Sequence, residues 1–462
     1  MSTKQLTKAA ASQRRAAQSD SLLSALTNGG PLVWISCLIM GAANLAAGQI
    51  IKGLLFLAIE AGVIAFLLVP EGGIHWISML PGLGEKVRQE IWSDDVGGYI
   101  YTDYDQSQLI LLYGIASICI IVLLVVVWRA NVRSGYKALC LKKEGKKVTI
   151  IDDVKSLFDE NVHKLLMMPP TICLAIFTIL PLLYMMSMAF TNYSKPDNLI
   201  LFDWVGLKNF TALFDSTSTI GKQFVPVLIW TLIWAFFATF LNFFLGTFVA
   251  IVIGRKSIKF KGFWRGCLSL TIAVPQFVSL MIIRSMMQPE GIINRMLLDA
   301  GLIAEKLPFL TNATWARVMV IIINCWVGIP YTIMQVTGIL QNIPAEQYEA
   351  ATIDGANAVQ QFRHITLPYM IFVMTPYIIT QFTGNINNFN IIYLLTRGEP
   401  LQIGNSAGDT DLLVTWLYKL TVDQQNYKMG AVIGIFTFVV LAVVSLITYR
   451  SSGSYKDEEG FK

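Results

Sequence analysis

Glu349-Ala350-Ala351, Asp354-Gly355-Ala356 and Ile365-Thr366-Leu367-Pro368 stand in one polar stretch, residues 341–368, between two long apolar runs. The stretch carries helix punctuation. Pro344 sits at a favourable first-turn position. Residues 345–353 are good helix formers, with Glu346 and Glu349 near the positive end of the helix dipole. Gly355 is placed to end that helix in a left-handed conformation. A second short helix is expected over 358–364. Pro368 then opens the next apolar segment, where its missing N–H costs nothing. Ala350 and Ala351 leave a thin helix face that another protein can approach closely. Punctuation alone fits an ordinary amphipathic connector equally well.

The apolar runs on either side fix the class. Of 462 residues, 54% are hydrophobic and only 14% charged, against about 25% charged in soluble domains. The chain is therefore a polytopic, all-α membrane protein. A span needs roughly 20 apolar residues. Eight segments qualify: 51–69, 108–128, 171–190, 227–253, 266–283, 318–339, 369–395 and 429–449. A ninth candidate, 32–47, is short and rich in small residues, and is read as an interfacial or re-entrant helix. The six cysteines are scattered with no C-x-x-C pair, which suggests neither a disulfide framework nor a metal site. Residues 1–28 are polar and basic and lack a signal-peptide core, so they are expected to remain as a tail.

Lysine and arginine placement sets the orientation. The stretch after Trp128 holds Arg129, Arg133, Lys137, Lys142, Lys143, Lys146 and Lys147. Residues 254–265 hold Arg255, Lys256, Lys259, Lys261 and Arg265 without an acid. Both are expected to be cytoplasmic loops. Residues 70–106 carry seven acids against Lys86 and Arg88 and are expected outside. Eight alternating spans satisfy all three and place both termini, and the 341–367 loop, in the cytoplasm. The expected division is a tail (1–30), an extension with an interfacial helix and two spans (31–164), a six-span domain (165–450) and a C-terminal tail (451–462).

The spaced string in the polar loop resembles the EAA signature of permease subunits in binding-protein-dependent ABC importers. The resemblance implies a type I importer architecture. It also implies a coupling helix, formed by Glu349, Ala350, Ala351, Asp354 and Gly355, that docks on a cytoplasmic ATPase. Further runs narrow the likeness: Trp326-Val327-Gly328-Ile329-Pro330-Tyr331, Asn385-Ile386-Asn387-Asn388-Phe389, 408–414 (Gly-Asp-Thr-Asp-Leu-Leu-Val) and Ala189-Phe190-Thr191-Asn192-Tyr193. Over roughly residues 165–450 they resemble the large permease subunit of maltose/maltodextrin importers. The loop after Phe190 is only about 35 residues, where the best-known members carry a folded domain. The stretch 32–56, with Gly48-Gln49 and Lys52-Gly53-Leu54, resembles the Gram-positive form.

Gln381, Asn385 and Asn388 fall at i, i+4 and i+7, on one face of the seventh apolar segment. Unpaired amides in hydrocarbon are costly, so they are expected to face a bundle interior or a water-filled cavity. Two uses fit: interhelical hydrogen bonds, or contact with sugar hydroxyls through paired donors and acceptors. In the sixth segment Gly328 is expected to let a ligand approach backbone, Pro330 to break the helix ladder, and Tyr331 to offer a stacking face. The resemblance implies a sugar site at Val327, Gly328, Tyr331, Gln381, Gly384, Asn385 and Asn388. Here Gln381 stands where the family has a serine, and Gly384 where it has an aromatic. Neither stripe is charged, which fits a neutral oligosaccharide, maltodextrin by resemblance or a galacto-oligosaccharide as the alternative.

Glu60 lies mid-span, where an acid is a functional candidate by default; its place in the extension favours a structural role. His75, His163 and His364 are expected in loops and form no ligand cluster. An ion-coupled secondary carrier would need midplane charges and paired repeats, and a membrane enzyme a cluster of acids, histidines or nucleophiles. Neither is present. No G-x-x-x-x-G-K-[ST] loop occurs, so no cofactor is expected on this chain. The resemblance implies that ATP and Mg are used by two partner ATPase subunits. It also implies a second, smaller permease and an extracellular sugar-binding protein, in a bacterial cytoplasmic membrane and without nucleic acid.

Overall fold

The structure is a computed structural model, and it describes residues 21–145, 150–155, 162–255 and 257–451. The N-terminal tail up to residue 20, Lys146, Lys147, Lys256 and the last eleven residues lie outside the described residues. The chain divides into two compact units, Met1–Asn192 with Asp197–Trp204, and Tyr193–Pro196 with Val205–Lys462.

In the first unit, α1 (Gly30–Leu38) and α2 (Ala42–Ala47) are each too short to cross a bilayer. The chain turns between them at Gly41, whose φ is +86° and whose missing Cβ would meet the Gly53 carbonyl oxygen at 2.1 Å. Side chains hold the freed backbone. Asn131 Oδ1 accepts from Gly41 N at 2.8 Å, and its Nδ2 donates to Ser36 O at 2.8 Å. Glu60, on α3 (Ile50–Leu68), accepts from Met40 N at 2.7 Å. The intramembrane acid thus satisfies a backbone donor of a broken helix, a structural role.

After α3 come α4 (Gly73–Met79) and a hairpin of β1 (Glu90–Ser93) and β2 (Gly98–Tyr101), an exception to the all-helical expectation. The next helix, α5, runs from Ser107 to Lys143, 37 residues or about 55 Å. The basic loop expected after Trp128 is therefore mostly helix: arginine, alanine, lysine and leucine are strong helix formers. Gly135 does not interrupt it, because that glycine is where α2 packs closest, with Ala43 Cβ 2.7 Å from where a Cβ would be. The third apolar segment is α6 (Val162–Leu174), a π-helical turn and α7 (Leu180–Met188). It groups with this unit, whereas the sequence division assigned it to the six-span domain.

The second unit is built on α8 (Thr219–Gly254), the pair α9 (Lys261–Ala273) and α10 (Gln276–Met286), and α11 (Ala313–Gln341). It continues with α12 (Ala345–Ile353), α13 (Ala358–Gln361), α14 (Leu367–Ile386), α15 (Phe389–Leu395) and α16 (Tyr427–Ser451). Helices α8 and α11 run parallel and in step. Ala238 O accepts from Asn324, Gly328 abuts Asn242, and Gly246 abuts Thr332. Two parallel membrane helices need one crossing between them, and α9–α10 is the apolar segment available. That segment is bent by 86°, not the continuous span expected. The cause is local: Val274 precedes Pro275 and is forced out of the helical region, to ψ 128°. Counting the pair as one span, the described residues hold eight segments long and apolar enough to cross.

The core between these helices is apolar and dense, with Trp234, Ala235, Leu280, Val320, Ile392 and Leu395 fully buried. Pro330 does not break α11, which continues through it to Gln341. The seventh segment does break, between α14 and α15, at Asn387 and Asn388. All three histidines sit in helical segments, not loops.

Candidate functional site

A cavity of about 320 Å³ opens between α8, α11 and α14, in the size range of small-molecule sites. Its wall contains Val327, Gly328, Tyr331, Gln381, Asn385 and Asn388. Gly384, the seventh residue expected there, is exposed and is not among the residues that line it. Asn242, Gln276, Asn324 and Gln335 also line the cavity, bringing the amides to seven, with no acid or base among the lining residues. These four lie on neighbouring helices, and no spacing along the chain marks them as partners of Gln381.

The lining amides differ in what already engages them. Asn385 is buried: its Nδ2 donates to Thr239 Oγ1 at 3.0 Å and its carbonyl accepts from Trp234 Nε1 at 3.0 Å. It ties α14 to α8. Asn388 is the N-cap of α15, accepting from Ile391 N at 3.3 Å, so it stands on the break and not on a continuous helical face. Gln381 and Tyr331 are exposed to the cavity, Tyr331 by 50%. Gly328 lines the cavity with its backbone, and an added Cβ there would meet the Asn242 amide at 2.1 Å. Buried Asn242 Oδ1 has no partner among the described residues. The arrangement can hold a polar, uncharged molecule through amide donors and acceptors, beside the aromatic rings of Tyr331 and Tyr377.

The polar loop folds as a compact helical pair. Helix α12 keeps the expected bounds, with Pro344 as its N-cap instead of its first turn. Its end is a Schellman motif: Ala356 N donates to Ala351 O at 2.8 Å and Gly355 N to Thr352 O at 3.1 Å, with Gly355 at φ +81°. Asn357, which sequence reading passed over, caps α13 in a capping box with Gln360. Helix α13 then runs through a π-helical turn, Phe362–Thr366, directly into α14, so the second helix does not end at His364. Gln361 Nε2 bonds Thr352 Oγ1 at 2.9 Å, and Tyr348 Oη pairs with Thr366 Oγ1 at 2.8 Å. Ala351, Asp354 and Gly355 border an open groove of about 280 Å³. Glu349 and Ala350 are exposed beside it. Ile353 and Val359 are 86% and 73% exposed, an apolar pair at the tip of the loop.

Residues 244–453 match the family described as the binding-protein-dependent transport system inner membrane component. The chain is 36% identical to the galactooligosaccharides transport system permease protein GanP of Bacillus subtilis, over 77% of this chain and 85% of that one. It is 34% identical to the maltodextrin transport system permease protein MdxF of the same organism, over 91% and 95%. A bacterial ABC transporter structure involved in alginate import superposes with a TM-score of 0.54 at 24% identity, covering 64% of this chain and 96% of that one; that likeness speaks for the fold. These relatives show the family: the chain belongs to the permeases of binding-protein-dependent ABC importers, and among them to the maltodextrin type.

Proposed function

We propose that this chain forms the sugar path for a neutral oligosaccharide, a maltodextrin, and that the cavity between α8, α11 and α14 is its binding site. The observation that carries this reading is the lining: seven amides, Tyr331 and Tyr377, and no acid or base. Amides both donate and accept, as sugar hydroxyls do, and an uncharged wall offers an ionic substrate no counter-charge. Gln381 and Tyr331 make the clearest contacts, while Asn385 and Asn388 also hold the helices that shape the wall.

Energy comes from outside the chain. Two ATPase subunits bind ATP and Mg, and one docks at α12, where Ile353, Val359 and the thin face of Ala350 and Ala351 offer apolar surface. A smaller permease completes the translocation path, and an extracellular sugar-binding protein delivers the substrate. The protein sits in a bacterial cytoplasmic membrane with both termini in the cytoplasm, its six-span domain from about residue 165 preceded by a two-span extension. The likeness to GanP favours a second reading, a galacto-oligosaccharide substrate. The two are separated by reconstituting the assembled importer with its binding protein and measuring ATP hydrolysis with maltotetraose or galactotriose. Stimulation by maltotetraose alone supports the first reading; stimulation by galactotriose alone supports the second.

A further inference from the structure

A second polar cavity, about 250 Å³, lies in the same unit at the N-terminal ends of α8 and α11. Along α8, Gln223 in its wall precedes Thr239 of the central cavity by about 24 Å of helix. Along α11, Arg317 precedes Tyr331 by about 21 Å. The two cavities are therefore separate, and they are stacked along the same pair of helices.

Its wall is built and held. Gln223 is 7% exposed. Its Oε1 accepts from Ala407 N at 2.7 Å, Ser406 N at 3.0 Å and Ser406 Oγ at 3.1 Å. Two backbone donors at one end fix which end is oxygen. The Nε2 end is buried and left without a partner among the described residues, in a residue that lines the cavity. Arg317 Nε donates to Asp409 O at 2.8 Å, and its guanidinium lies 4.9 Å from the Trp230 ring centre. Trp230 Nε1 donates to Thr410 O at 3.2 Å. Asp411 is paired with Lys419 at 2.6 Å.

A buried amide with two idle donors is costly unless something accepts from it. The remaining wall offers both kinds of partner: donors on Lys222 and Arg317, acceptors on Asp409 and Asn405. A phosphate or carboxylate could pair with Lys222 and Arg317 but would also face the Asp409 carboxylate and leave the Asn405 acceptor unused. A vicinal diol both donates and accepts. We propose that this cavity is a second saccharide subsite, which holds one hexose unit of the oligosaccharide at the mouth of the path that leads to the central cavity. The proposal rests on the oligosaccharide reading of the central cavity.

The test uses the assembled importer in lipid nanodiscs and a maltotetraose carrying a diazirine, with labelled peptides mapped by mass spectrometry. Label is expected in two places, residues 326–331 and residues 402–411, both displaced by excess unlabelled maltotetraose. Gln223→Glu keeps the acceptor that holds Ser406 and Ala407 and removes the idle donors. Asn405→Ala changes an exposed side chain. Each is expected to reduce label at 402–411 about three- to tenfold while 326–331 is unchanged. Displaceable label at 326–331 alone overturns the second subsite and leaves the central site standing. Displaceable label at 402–411 alone overturns the central site instead. Label at 402–411 that phosphate displaces, or that maltotetraose does not, overturns the saccharide assignment.

Discussion

A methyl group on Gly328 of α11 would lie 2.1 Å from Nδ2 of Asn242 on α8. The glycine therefore sets how closely two parallel helices approach at the wall of the central cavity. Alanine in place of a helix-interior glycine ordinarily stabilises by about 1 kcal/mol. Here Gly328→Ala is expected to lower the melting temperature of the assembled complex, because the Asn242 amide must swing out of the helix interface. Adding Asn242→Ala to Gly328→Ala is expected to recover most of the loss. A Gly328→Ala complex that melts at or above the wild-type temperature contradicts the packing.

The end of α12 is separable from the membrane path. Gly355 has φ +81° with open space around its missing Cβ, so substitution there costs backbone strain and not a clash. A left-handed non-glycine residue costs about 1–2 kcal/mol. Gly355→Val is expected to reduce the ATPase copurified per permease, with Gly355→Asn intermediate, while membrane insertion is unchanged. Equal ATPase recovery and transport in both variants contradicts the docking role of α12.

Burial pushes the Asp411 carboxyl above the usual aspartate range, against the pull of Lys419. A raised native value means the folded state holds the proton when the unfolded state has lost it. Stability contributed by Asp411 therefore rises as pH falls through the raised value toward that of the unfolded chain. The difference in melting temperature between wild type and Asp411→Asn is expected to shift in favour of wild type as pH is lowered through that window. A difference independent of pH, or one that shifts the other way, contradicts the assignment. The readout is fluorescence melting of the complex across pH.

Orientation is tested by thiol labelling in intact cells after the native cysteines are replaced. A cysteine at Gly97, in the hairpin between α4 and α5, is expected to react with an impermeant reagent. One at Glu144, just past the end of α5, is expected to react only after lysis. Labelling of Glu144→Cys from outside reverses the topology.

Most of the apolar spans were legible because length and hydropathy are properties of continuous segments. The breaks inside spans were less so. The Val274-Pro275 bend follows a local rule, yet its flanks are apolar enough to read as one span; the same rule would break the helix before Pro330, yet there the helix continues within a packed interface. The central site was half legible. Gln381, Asn385 and Tyr331 stand out as polar or aromatic residues in apolar runs, but Asn242, Gln276, Asn324 and Gln335 join them only through the parallel packing of α8 and α11. That register is a tertiary fact. Gly384, carried over by resemblance, shares the helical face of Gln381 but stands in open space and is not among the residues that line the cavity.

Sugar uptake per assembled complex in Gln381→Ala and Tyr331→Ala tests the central claim most directly. Asn388→Ala is the weaker probe, since it also removes the cap of α15. The Gln381 side chain makes no hydrogen bond among the described residues and Tyr331 is half exposed, so these substitutions disturb the helix contacts less than Asn388→Ala does. With maltotetraose supplied through the binding protein, Gln381→Ala is expected to cut normalised uptake about two- to tenfold, the loss of one or two hydrogen bonds. Tyr331→Ala is expected to cut it further, with complex yield and basal ATP hydrolysis unchanged. Normalised uptake equal to wild type in both variants would contradict the assignment of this cavity as the sugar site.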